Sequence, residues 1–116
     1  GSTRQGLFYR HSNDAGRTFS PPVPVGNPEY QAGHPALLTQ GQRVLIVWRE
    51  FEDGRFRLHL MESPDGGTHW SPSRPLAESA GQADYPRLVA GPDQPLLLWN
   101  TAEGLQVVPL ARPEAQ

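Results

Sequence analysis

Ser12-Asn13-Asp14-Ala15-Gly16-Arg17-Thr18-Phe19 and Ser63-Pro64-Asp65-Gly66-Gly67-Thr68-His69-Trp70 are two versions of one octet, 51 residues apart. Each runs on into Ser-Pro, at Ser20-Pro21 and at Ser71-Pro72. The register extends beyond the octets. His34-Pro35-Ala36-Leu37-Leu38 maps onto Tyr85-Pro86-Arg87-Leu88-Val89, Val47-Trp48 onto Leu98-Trp99, and Leu7 onto Leu58. Separated signals that share one offset mark an internal repeat, and a repeat sets the architecture before any single element is read.

Within a repeat the periodicity is that of strands. Residues 34–39 form a Pro-led apolar strand, and 43–48 a second one rich in β-branched residues. Arg55-Phe56-Arg57-Leu58-His59-Leu60 alternates polar with apolar, the period-2 pattern of a half-buried strand. Residues 70–76 make a fourth strand, whose prolines suit a sheet edge because they cannot donate to a ladder. Gln40-Gly41-Gln42, Glu52-Asp53-Gly54 and Asp65-Gly66-Gly67 supply the turns between them. Four antiparallel strands in about 50 residues is the size of a propeller blade.

Composition agrees. Gly and Pro together fill 25 of 116 positions, about twice their usual share, so the chain is cut into short pieces and cannot be a helical bundle. Apolar runs reach only five residues, Val44 to Trp48, with four from Leu96 to Trp99, against roughly 20 for a membrane-spanning helix, so no membrane partner is expected. Ten arginines against twelve acidic residues leave a net charge of -2, too balanced to expect nucleic acid as a partner. With no cysteine there is no disulfide framework or thiolate, and the redox compartment is not encoded. Gly1-Ser2 reads as an expression scar, and no export signal opens the chain.

Both octets resemble the Asp box, S-x-D-x-G-x-T-W/F, of the bacterial neuraminidase (BNR) repeats found in sialidases and related six-bladed propellers. The first matches through Ser12, Asp14, Gly16, Thr18 and Phe19. The second matches through Ser63, Asp65, Gly67 and Trp70, with His69 standing where Thr is usual. The resemblance implies an all-β fold of antiparallel four-stranded blades from a sialidase-like β-propeller, about 2.25 of them in this chain. Residues 3–32 would then give strands three and four of one blade with its Asp box. Residues 33–82 would give a complete blade, and 83–116 strands one to three of another.

The box's chemistry is that of a turn. An Asp side chain accepts backbone N–H bonds from residues after it, Gly supplies positive φ, hydroxyls satisfy the remaining turn groups, and the aromatic is expected to anchor the hairpin between sheets. Asp14 and Asp65 are therefore read as scaffold, not as catalytic carboxylates.

Candidate chemistry belongs on the opposite rim, at the start of each first strand and in the turn between strands two and three. That rim carries Glu29, Tyr30, His34, Asp84, Tyr85 and Arg87, with Arg49, Glu50, Asp53, Asn100 and Glu103. In sialidases the equivalent rim uses three arginines to clamp a sugar carboxylate, a Tyr paired with Glu as nucleophile, and an Asp as acid/base. By that resemblance Tyr85 is the candidate catalytic residue, and Arg87, Arg49, Glu50, His34 and Asp84 are candidate ligand-binding residues. An Arg fork suits a carboxylate because it meets it with two parallel charge-assisted bonds. The plainer readings are that Tyr85 merely opens a repeat strand, that Arg87 pairs with Asp84 or Glu50, and that Arg49 and Glu50 pair locally. Trp48 and Trp99 are read as packing between blades. His11, His34, His59 and His69 show no metal-ligand spacing, and no cofactor is expected.

The first carboxylate-binding Arg motif of the family and its acid/base loop have no counterpart in this sequence. The resemblance thus implies a module of a glycan-directed propeller, incomplete as a catalyst alone, or else a non-catalytic binding scaffold. Its expected partners are a glycan, with a sialylated one implied by the resemblance, and either further blades of the same protein or further copies of itself. The periplasm or the exterior is the compartment that the resemblance implies.

Overall fold

The computed structural model describes residues 7–25 and 31–111, except for the side chains of 31–34. The rim positions Glu29 and Tyr30 lie outside the described residues, as does the side chain of His34. Among the described residues nine strands form three antiparallel sheets. The first pairs β1 (Leu7–Tyr9) with β2 (Val23–Val25). The second runs in order through β3 (Gln31–Gln40), β4 (Arg43–Glu52), β5 (Arg55–Ser63) and β6 (Arg74–Ser79). The third holds β7 (Arg87–Ala90), β8 (Pro95–Thr101) and β9 (Gly104–Pro109). The described chain is all-β, built of sequential antiparallel sheets of the kind that form propeller blades. Among the described residues no helix is long and apolar enough to cross a membrane.

Alternation along the strands decides what each face meets. On β4, Leu45 and Val47 turn toward the third sheet, where they join Leu58, Leu60, Leu97, Trp99 and Leu110 in one buried cluster. Ile46 and Trp48 turn the other way and join Met61 and Val25, with Leu7, Tyr9, Val23 and Trp70 packed around them. The second sheet is therefore apolar on both faces, and β4 reads as a continuous hydrophobic run because neither face meets water. Trp48 and Trp99 sit at equivalent places, one in each inter-sheet cluster, and both are almost fully buried.

Turn chemistry holds the ends. Ser12 Oγ donates to Asp14 Oδ1 at 2.7 Å and accepts from the Gly16 amide at 2.9 Å, while the Thr18 amide donates to Asp14 Oδ1 at 2.8 Å. The second box repeats these bonds with Ser63, Asp65, Gly67 and the His69 amide. His69 Nδ1 takes the place of the Thr18 hydroxyl against the second carboxylate oxygen, at 2.5 Å from Asp65 Oδ2. The turn between β3 and β4 lies beside this box, with the Gly66 amide donating to the Gln42 carbonyl at 2.7 Å.

Two expectations need correction. The fourth strand of the second sheet is Arg74–Ser79 rather than residues 70–76. Trp70 Nε1 donates to Gly67 O at 3.1 Å, which folds Trp70 back onto the box, and Pro72 has no N–H for a ladder. Pairing instead extends C-terminally, with Phe56 opposite Ser79. The aromatic of the first box, Phe19, does not anchor the hairpin between sheets. It is 56% exposed, with the Arg10 guanidinium 5.7 Å from its ring centre, because no described sheet lies on that side of β1 and β2.

Candidate functional site

The third sheet's outer face gathers four of the rim residues. Arg87 pairs with Leu98 across β7 and β8, and Asn100 pairs with Leu105 across β8 and β9. Since Leu98 and Asn100 are two apart on one strand, all four side chains share a face. Asp84 and Tyr85, in the segment leading into β7, complete the wall of a cleft of about 490 Å³. That segment is held in place by main-chain bonds: the Asp84 amide donates to Asn100 O at 2.8 Å, and Asp84 O accepts from Trp99 Nε1 at 2.7 Å. The buried indole thus positions the rim loop.

Chemically the cleft offers an apolar floor of Leu98 and Leu105 with donors and acceptors above it. Asn100 brings an amide, Tyr85 a phenol, Asp84 a carboxylate and Arg87 a guanidinium. Arg87 is exposed and pairs with neither Asp84 nor Glu50, and among the described residues it makes no ion pair. Tyr85 is also exposed, and the Arg49 guanidinium lies 5.2 Å from its ring centre.

Arg49 reaches this rim from the neighbouring sheet. Its Nη1 donates to Ala83 O at 2.8 Å, and its guanidinium sits 4.4 Å from the centre of Phe56, so it is wedged between second and third sheets. Glu50 does not pair with it. Consecutive strand residues point to opposite faces, and Glu50 turns toward the first sheet, where Trp48 Nε1 donates to its Oε2 at 2.5 Å. Glu50 consequently points to the face opposite the one on which Arg49 meets Tyr85.

Around Glu50 the sheet assembles a set that linear spacing does not display. Glu50 on β4 lies across from Arg57 on β5, Trp48 across from His59, and Glu52 shares their face, with His59 Nε2 3.8 Å from Glu50 Oε1 and 3.4 Å from Glu52 Oε2. His59 stacks on Trp48, and Arg57 bonds to Glu52 and, at 3.2 Å, to Glu78. Glu50, Glu52 and His59 are the grouping among the described residues whose donor atoms lie close enough to share a metal ion. Each carboxylate already accepts from a protein donor, Trp48 for Glu50 and Arg57 for Glu52, and the set reads as a buried ion network. Two-residue periodicity on paired strands was the only signal for it, and it needed the β4–β5 register.

A larger cleft, about 610 Å³, lies at the other end against the second Asp box. Its polar groups are engaged with each other: Arg43 with Glu62, His69 with Asp65, and the Trp70 N–H with Gly67 O. The box carboxylates belong to the same self-satisfied scaffold. Asp14 is held down at about 2 by the hydroxyl and amide of Thr18 and the hydroxyl of Ser12, and Asp65 is likewise lowered by the His69 amide and ring and the Ser63 hydroxyl. The rim cleft, whose Arg87 makes no ion pair among the described residues, is the better candidate.

No curated protein and no solved structure matches the chain significantly. A family match does cover residues 2–98, which include both Asp boxes, the whole second sheet and most of the rim cleft. With two octets closing equivalent turns on stacked antiparallel sheets, the chain belongs to the BNR repeat-like domain family.

Proposed function

We propose that this chain is a blade-forming module of a sialidase-like, glycan-directed propeller, whose rim cleft on the third sheet contributes to binding an acidic sugar. The observation that carries the reading is Arg87: an exposed guanidinium without an ion-pair partner among the described residues, standing beside Tyr85 and Asn100 over a leucine floor. A planar fork binds a carboxylate with two parallel bonds, an apolar floor receives the C–H face of a sugar ring, and an amide and a phenol bond its hydroxyls. In an exported parent protein this surface would face a terminal acidic sugar.

Titration with sialyllactose, followed by amide chemical shifts, tests this directly. Shifts at residues 84–87, 98–100 and 105, absent with lactose and abolished by Arg87→Ala, are expected. Equal responses to both sugars, or an unchanged response in the variant, would overturn the reading. A second reading, a non-catalytic binding scaffold, is favoured by the orientation of Glu50, whose side chain turns toward the first sheet and Trp48 while Tyr85 stands on the third-sheet rim beside Arg49. Turnover of a fluorogenic sialoside by the parent protein, lost in Tyr85→Phe, would reject the scaffold and support the enzyme.

A further inference from the structure

Two-residue periodicity brings Glu50 and Glu52 of β4 to one face, and the β4–β5 register sets His59 on that face too, opposite Trp48. The three side chains are only 2%, 11% and 16% exposed. As an ion network this cluster has one atom left over. His59 Nε2 is buried and makes no hydrogen bond among the described residues. Glu52 Oε2 at 3.4 Å and Glu50 Oε1 at 3.8 Å stand beyond the roughly 2.7–3.2 Å of a formed N–H···O bond. A buried nitrogen in that position costs free energy unless something else binds it.

The same distances suit a metal. Around a tetrahedral ion with bonds of about 2.1 Å, neighbouring ligand atoms stand about 3.4 Å apart, and about 3.8 Å where the angle opens to about 130°. Donor atoms of all three residues lie within 4.8 Å of one another, a spread that small rotations of the glutamates bring to coordination distance. The protein's own donors take the opposite oxygens, Trp48 Nε1 on Glu50 Oε2 and Arg57 Nη1 on Glu52 Oε1. Donors placed in that way hold a ligating carboxylate from behind, and stacking on Trp48 fixes the plane of the imidazole.

We infer that Glu50, Glu52 and His59 form a binding site for a divalent transition-metal ion of the zinc type, through Glu50 Oε1, Glu52 Oε2 and His59 Nε2. Two carboxylates match the charge of the ion. An imidazole nitrogen among only three protein donors selects against Mg²⁺ and Ca²⁺, which take oxygen ligands in larger number. Three protein ligands leave a fourth position for water or an oxygen of another molecule. The ion ties β4 to β5 beneath the first sheet, and the inference does not depend on what the rim cleft binds.

Zinc chloride added to the whole chain at constant neutral pH tests it, followed by calorimetry and by the nitrogen resonances of the histidine rings. One Zn²⁺ per chain is expected, with Nε2 of His59 shifting and the ring nitrogens of His69 unmoved. Mg²⁺ at the same concentration is expected to leave His59 unmoved. His59→Phe keeps a ring on Trp48 but no ligand, and Glu52→Gln removes a charge at constant volume. Each is expected to weaken Zn²⁺ binding at least about tenfold, whereas His69→Ala leaves it unchanged. No shift at His59, an equal shift with Mg²⁺, undiminished binding in His59→Phe or Glu52→Gln, or binding lost in His69→Ala would overturn the inference. The resonance of His59 is read in the unaltered chain, so the test decides even if a variant fails to fold.

Discussion

At Gly67 the backbone has φ of +98°, and a Cβ added there would stand 2.8 Å from Tyr9 Cε1. Gly16, its counterpart in the first box, has φ of +87° with open space around it. The two glycines thus separate backbone strain from packing. Gly16→Ala is expected to cost about 1–2 kcal/mol, the price of a left-handed alanine. Gly67→Ala is expected to cost at least about 1 kcal/mol more, because Tyr9 must also move out of its contact with Trp70. Urea midpoints of the two variants check this, and equal losses would refute it.

The box carboxylates make a second residue-scale prediction. Asp14 is depressed from 3.8 to about 2, and Asp65 is also lowered, so between those values the unfolded chain binds more protons than the folded one. Their contribution to stability is complete above about pH 4 and is lost as pH falls toward about 2. Replacing both by Asn should lower stability at neutral pH and flatten the acid limb of the stability profile, measured by urea unfolding at several pH values. An acid limb as steep as wild type would show that other groups carry it. Asp14 and Asp65 were legible as turn formers in the sequence because every partner lies within four positions of them.

At the scale of strands, Arg43 on β4 shows what local pattern cannot reveal. Its Nη2 donates to Glu62 Oε2 at 2.9 Å on the adjacent strand, and to the carbonyls of Leu110 and Ala111 beyond β9, in a site where both charged side chains are under a tenth exposed. Removing one member of a buried pair leaves the other charge desolvated. Arg43→Met is expected to cost about 3–5 kcal/mol, and Arg43→Met with Glu62→Met markedly less, since the isolated carboxylate is then gone. Thermal or urea unfolding of the two variants decides it; equal losses would mean the bonds to Leu110 and Ala111 dominate.

The same contrast explains what the sequence disclosed about strands and site. Alternation and the octets gave the second sheet's elements, because period 2 and turn chemistry are local. The end of β5 and the start of β6 were displaced because Val44 pairs with Ser63 and Trp70 bends back to Gly67, neither of which periodicity encodes. Asp84, Tyr85, Arg87 and Asn100 could be placed on one rim from the repeat alone. Glu52, Arg57 and His59 were passed over because their association with Glu50 exists only across the β4–β5 register.

For the whole molecule, the decisive feature is that stability is shared between neighbours and not spread evenly. The second sheet is covered on both faces by the two hydrophobic clusters, whereas the first consists of two three-residue strands resting on it. A two-stranded sheet of that length does not hold itself together in water, so β1 and β2 persist only through Leu7, Tyr9, Val23 and Val25 packed on Trp48, Met61 and Trp70. Amide exchange should therefore be slowest in Val44–Val47 and Leu58–Met61, and much faster in Leu7–Tyr9 and Val23–Val25, where local opening requires only loss of the inter-sheet contact. Trp70 is the residue to remove. Trp70→Ala deletes the ring that meets Tyr9 edge-on but leaves the contacts of Leu97 and Trp99 with the second sheet untouched. Exchange at β1 and β2 is expected to accelerate at least about tenfold while that of β8 stays within about twofold of wild type, a difference of more than about 1 kcal/mol in opening free energy confined to one sheet. If β8 amides accelerated equally, the three sheets would be opening as one unit, and nearest-neighbour packing would not be the level at which this fold is stabilised.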